Sequence, residues 1–295
     1  MAREKDRGEI PKGETYLKDT AEKFLEHRLA GAGLILIIIE IFFVVFVPLV
    51  FKLDPYTSDA MGFGAKPPGG VHLLGTDVLG RDIFSRLVYG GRTSLVVGIS
   101  SSLIGLILGA PLGLFAAYYR GWMETTVMRL ADIFMSFPAM ILILVLVAVV
   151  GTSIWSVTIV IGILGWPQYA RLIHARVLSV REMEYVESAR AVGTRNLGII
   201  LKYILPNSIA PILIQFTFRT AQAIIMESSL SFLGMGIQPP ISSWGNMMYD
   251  AQAISILANK PFVWVPPGLA LVLTVLSINS VGDGIRDAMD PKTRI

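Results

Sequence analysis

Six stretches of this chain are apolar for long enough to cross a bilayer, and no other feature narrows its possible folds as far. A hydrocarbon core about 30 Å thick takes roughly 20 helical residues. Runs of that kind lie near 30–51, 94–119, 133–151, 153–173, 207–233 and 263–282. Lipid offers no partner to a free amide, so each run must satisfy its own backbone as a helix. The expected fold class is therefore an all-α polytopic membrane protein with about six transmembrane helices. Composition agrees, since 53% of the residues are hydrophobic and only 16% are charged, against about a quarter charged in soluble domains. Mean hydropathy is +0.62.

Residues 1–28 are crowded with Lys, Arg, Glu and Asp ahead of a full-length apolar run, so the first span is expected to remain as an anchor and not to be cleaved as a signal peptide. With the N-terminus inside, 18 of the 25 Lys and Arg fall on the cytoplasmic side. The outside holds Lys52, Lys66, Arg81, Arg86, Arg92 and Lys260, and Arg219 lies within a span. Positive residues gather on the cytoplasmic side, so both termini are expected there. Four segments follow: 1–28, a cytoplasmic N-terminal segment; 29–91, the first span and an external loop; 92–283, the transmembrane core; and 284–295, a cytoplasmic tail. The absence of Cys removes disulfides and thiolate sites, and His27, His72 and His174 have no metal-ligand spacing. A net charge of +3 is accounted for by cytoplasmic loops and implies no nucleic-acid partner; the partner is the lipid bilayer.

Leu17, Ala21, Phe24 and Leu25 recur at helical spacing before the first span, which fits either an interfacial helix or a solvated tail. In the external loop, Asp82 and Arg86 stand i,i+4 opposite Ile83, Phe84, Leu87 and Val88, the pattern of a short helix lying on the outer surface. Prolines at 48, 111, 138, 167, 211, 266 and 267 predict kinked or broken spans.

The connection from Arg171 to Pro206 is too long and too patterned for a turn between spans. It contains Glu187-Ser188-Ala189-Arg190-Ala191-Val192-Gly193, with Pro206 thirteen residues on. Small residues permit close approach of another backbone, Gly193 permits a sharp turn after a short helix, and Pro206 marks the return to the membrane. This pattern resembles the EAA loop of ATP-binding-cassette importer permeases, whose short coupling helix sits in a cleft of the nucleotide-binding subunit. Gly75-Thr76-Asp77-Val78-Leu79-Gly80-Arg81-Asp82 with Arg86 to Gly90 resembles the external loop of the dipeptide and oligopeptide branch. So do Glu227 to Gly234, Pro239-Pro240, Ser243-Trp244-Gly245 and Asp283 to Asp287 with Asp290-Pro291. The likeness covers roughly residues 72–294, with two departures: Leu73 where the branch has Pro, and Ser188 where the loop has Ala.

The resemblance implies a type I importer permease of the C-type in the dipeptide, oligopeptide and nickel branch. Such a subunit sits in a bacterial or archaeal cytoplasmic membrane with a homologous second permease, two ATPase subunits and an external solute-binding protein. It implies that Glu187, Ser188, Ala189, Arg190, Ala191 and Gly193 couple to the ATPase, with Glu187, Ala189 and Gly193 as the contact surface. It also implies an external gate at Glu227, Ser231 and Phe232. No phosphate-cradling G-x-x-x-x-G-K-[ST] loop is present, so the chain is expected to be no enzyme and to carry no cofactor, with ATP and Mg bound by partner subunits.

On the fifth span Gln215, Arg219 and Gln222 recur at i, i+4 and i+7, with Ser208 and Ser229 near the same face. Two readings fit: a path for polar solutes, with Arg219 attracting a carboxylate, or bonds between neighbouring helices. Glu40, mid-span in the first helix, is expected to be held by a structural hydrogen bond or to be protonated, and not to relay protons. Trp122, Trp155, Trp244 and Trp264 fall near span ends, as interfacial anchors do, while Trp166 and Tyr169 read as bundle packing. A gradient-driven carrier is the main alternative, but it would show two homologous halves. An intramembrane enzyme would need a nucleophile with a His base, or an H-E-x-x-H pattern, and neither stands out.

Overall fold

The computed structural model describes residues 21–58 and 64–289, and among these every regular element is helical. Residues 21–26 are helical and run into α1 (Arg28–Phe51). Then come α2 (Ile83–Tyr119), α3 (Gly121–Ser136), α4 (Ala139–Val150), α5 (Ile154–Arg181), α6 (Glu184–Ala191) and α7 (Asn196–Ile199). A π-helical turn, Ile200–Ile204, joins α7 to α8 (Leu205–Phe232), and α9 (Trp244–Tyr249), α10 (Ile254–Asn259) and α11 (Pro261–Met289) complete the chain. Five helical segments are long and apolar enough to span, and the bent pair α3–α4 makes a sixth.

The central pair is α2 and α5, which share the largest helix contact in the molecule. Without a hydrophobic drive between helices in lipid, close packing at small residues must hold them. Gly105, Gly109 and Gly113 form that seam: an added Cβ at Gly109 would lie 2.3 Å from the Trp166 carbonyl, and one at Gly113 2.2 Å from the Ala170 carbonyl. The α8 helix packs on both, α11 packs on α8, and α1 packs on α11. Gly33 lies against Ser277 of α11, and Glu40 accepts a 2.9 Å hydrogen bond from Thr274, the structural role expected for that carboxyl. The outward face of α1 leaves Ile35, Ile38, Phe42, Phe46, Leu49 and Val50 exposed, the surface a helix turns toward lipid.

Several expectations change in three dimensions. The stretch 133–151 is not one straight span, because the chain turns by 89° between α3 and α4 with Pro138 at the joint. Six of the other prolines sit inside continuous helices. Pro206 interrupts nothing: it sits in the first turn of α8, directly after the π-helical turn. The short surface helix expected around 82–91 is instead the first turns of the 37-residue α2, capped by Asp82, which accepts from the Ser85 amide. Arg86 points into the protein, 2% exposed, and does not pair with Asp82. Trp244 is no interfacial anchor either, since it is buried and its indole donates to the Leu87 carbonyl at 3.0 Å. Trp122 and Trp155 are exposed, whereas Trp166 and Tyr169 are buried in the bundle. Leu17 lies outside the described residues; Phe24 packs on α11 beside Gly284, and Leu25 is exposed.

Candidate functional site

On the side of the Arg171 to Pro206 connection, α5 continues well past its apolar run and ends at Arg181. A two-residue turn, Glu182 and Met183, then leads into α6, which bears Glu184 and Glu187 in its first turn and Arg190 in its last, the order that suits the helix dipole. Gly193 closes the helix with φ +79°, a left-handed conformation that glycine adopts without strain, and its amide donates to the Arg190 carbonyl. Glu187, Ser188, Arg190, Ala191 and Val192 face outward, Val192 82% exposed. Ala189 does not join them. It is 5% exposed and turned inward like Val186, because positions three apart on a helix share a face. Ala189 is thus a packing residue of this chain, which corrects its assignment to the contact surface.

Four bonds tie this segment to α2 and its C-cap. Arg181 Nη1 donates to the Ala117 and Tyr118 carbonyls at 3.1 and 2.8 Å, satisfying free carbonyls at the end of α2. The Tyr118 hydroxyl donates to Asn196 Oδ1 at 2.9 Å, and Arg120 pairs with Glu182 at 2.9 Å. Around these contacts Leu114, Ala117, Ile173, Val177, Val186 and Ile200 form one buried cluster.

At the other end of α2, motifs far apart in sequence converge. Asp77 accepts from the Leu79 and Arg81 amides at 2.9 Å each, and from both Arg81 and Arg86 side chains. Arg81 and Arg86 also reach Asp250, just past α9, at 2.8 and 2.7 Å. Two buried guanidiniums between two carboxylates are close to neutral as a set, the condition under which buried charge persists. Ser243 starts α9 with a capping box to Asn246, while Gly90 and Gly91 let the Ser243-Trp244 backbone and indole lie on α2. Nearby Glu227, fully buried, accepts from Ser94 of α2 at 3.1 Å, Ser231 at 2.8 Å and Ser228 at 3.3 Å. Ser231 in turn accepts from the Ile237 amide at 3.1 Å. Phe232 stands apart from Glu227 and lines, with Ile225, Leu271, Val275 and Met248, an apolar cavity of about 700 Å³.

Midway along α8, Arg219 is 4% exposed and its Nη1 donates to Gln168 Oε1 at 3.1 Å and Gln222 Oε1 at 2.8 Å. Gln215 is half-buried and not bonded to Arg219, while Ser208 returns its hydroxyl to the Ile204 carbonyl at 2.9 Å. Of the stripe, then, only Arg219 and Gln222 meet. Gln168, which Arg219 also bonds, was unmarked in the sequence because it lies on a different helix.

Residues 109–295 match the family described as the inner membrane component of binding-protein-dependent transport systems. The chain belongs to this family. Residues 15–68 of the permease match the N-terminal transmembrane domain of oligopeptide transport permease C. The permease is 40% identical to the glutathione transport system permease protein GsiD of Pectobacterium atrosepticum, over 91% of this chain and 88% of that one. It is 38% identical to the dipeptide transport system permease protein DppC of Alkalihalophilus pseudofirmus, over 94% and 90%. A chain of the inward-facing MetNI methionine ABC transporter superposes with a TM-score of 0.58 at 21% identity, covering 70% of the permease and 97% of that chain, which shows a shared fold. The permease is thus a multi-pass component of an ATP-binding-cassette importer, whose ATPase is a separate subunit and whose permease subunits bind no cofactor themselves. A gradient-driven carrier and an intramembrane enzyme are both set aside.

Proposed function

We propose that this permease forms half of the translocation path for di- or oligopeptides, or for a peptide-like solute such as glutathione. A homologous second permease supplies the other half, two ATPase subunits dock beneath, and an external solute-binding protein delivers the solute. The relatives named for dipeptide and glutathione transport support the solute class. Both termini are cytoplasmic in this reading, in keeping with the excess of Lys and Arg on that side.

The observation that carries the coupling role is the outward face of α6, a short charged helix that packs on the bundle through Val186 and Ala189 and turns Glu187, Ser188, Arg190 and Ala191 away from the chain. That face docks in the ATPase, and Gly193 sets the turn beneath it. Glu227 and Ser231 hold the external closure, with Phe232 on its apolar flank, and Gln215, Arg219 and Gln222 contribute polar surface along the path. Motion at α6 reaches the outside as a rigid-body shift of helices.

Affinity purification of the tagged chain from native membranes in mild detergent tests the assembly. A second permease and ATPase subunits should co-purify, and the preparation should hydrolyse ATP and, in proteoliposomes, take up peptide when supplied with binding protein. A lone chain with no ATPase activity would overturn the reading.

A further inference from the structure

Arg219 lies 14 residues from the start of α8 and 13 from its end, about 20 Å from either terminus at 1.5 Å per residue, midway along a helix within a segment long and apolar enough to span a membrane. There its guanidinium is 4% exposed, and the only acceptors it meets among the described residues are the amide oxygens of Gln168 and Gln222. Both bonds use Nη1. Nε is buried without an acceptor, and no carboxylate pairs with Arg219 among the described residues. The other buried arginines differ sharply: Arg81 and Arg86 each meet two carboxylates. Room for the group is made by Gly165 of α5, where an added Cβ would lie 2.4 Å from Nη2.

A guanidinium presents five donors in a planar fork that matches a carboxylate, and it does not shed its charge. A buried, uncompensated charge at membrane depth is expensive and marks an ion or substrate pathway. We propose that Arg219, flanked by Gln168 and Gln222, is a carboxylate-binding station in the translocation path, filled in each transport cycle by the free C-terminal carboxylate of the peptide. The neutral amides suit this task, since they orient the fork without occupying it with a fixed anion, so the solute can also leave. The inference rests on the reading of α8 as part of the path.

The test uses proteoliposomes holding the assembled transporter, with its binding protein pre-loaded with either alanyl-phenylalanine or its C-terminal amide and supplied at saturation, so that maximal uptake reports the membrane step. Arg219→Gln should lower uptake of the free-acid dipeptide by about ten- to a hundredfold, the weight of one charge-assisted hydrogen bond, and leave the amide unchanged. Arg219→Lys, which keeps the charge, should recover part of the free-acid rate. Equal losses for both solutes, together with dissociation of the two permeases in mild detergent, would assign the missing carboxylate to the second permease and overturn the proposal. So would an unchanged ratio of the two rates. A wild-type assembly that takes up neither dipeptide would overturn the peptide-path reading itself, a result distinct from failure at Arg219.

Discussion

At the scale of single residues, burial separates side chains that hold this molecule together from those left free to meet a partner. Ala189 and Arg190 are adjacent, yet the first is buried and the second exposed. Ala189→Glu places a carboxylate in a packed site without a partner, which costs several kcal/mol. It should lower the thermal midpoint of the purified protein and the amount recovered from membranes. Arg190→Glu should change stability by less than about 0.5 kcal/mol while reducing the ATPase subunit that co-purifies. If Arg190→Glu retains its ATPase in full, the outward face of α6 is not the docking surface. Both residues stand in the same short motif, and its spelling does not say which faces in.

Among elements, the α2–α5 seam and the Asp77–Arg81–Arg86–Asp250 cluster join helices and loops distant in sequence. Gly113 faces the Ala170 carbonyl and Cα, with an added Cβ at 2.2 and 2.8 Å. Backbone atoms cannot rotate aside as a flexible side chain can, so Gly113→Leu should force the two helices apart. A loss of at least about 1 to 3 kcal/mol is expected, read as a lowered midpoint in detergent. Gly31, in α1, has nothing within 4 Å of an added Cβ, so Gly31→Ala should be neutral or slightly stabilising. Equal effects from the two changes would remove the seam as a special contact. Asp77, Arg81, Arg86 and Asp250 fasten the loop before α2 to the region around α9, and Ser94 to Glu227 fastens α2 to α8.

For the whole molecule, these junctions make α2 a continuous rod of 37 residues, about 55 Å long. One end bonds the start of α7 through Tyr118 and the end of α5 through Arg181, and the other bonds the Glu227 region through Ser94. Tyr118→Phe removes only the hydroxyl bond to Asn196, a change of about 1 kcal/mol, and should lower the solute imported per ATP hydrolysed while hydrolysis continues. An unchanged ratio would place the transmission elsewhere. The fold class, the family and five of the spans were legible along the chain, because apolar length and local spacing are properties of consecutive residues; the bent α3–α4 pair was not. Which prolines break a helix, which face of α6 turns outward, that Arg86 and Trp244 are buried, and that Arg219 meets Gln168 and no carboxylate were decided only by the tertiary structure. Each depends on atoms far away in sequence: packing in the bundle sets which side of an amphipathic helix is covered, and a buried charge is defined by the partners that other helices bring to it or withhold.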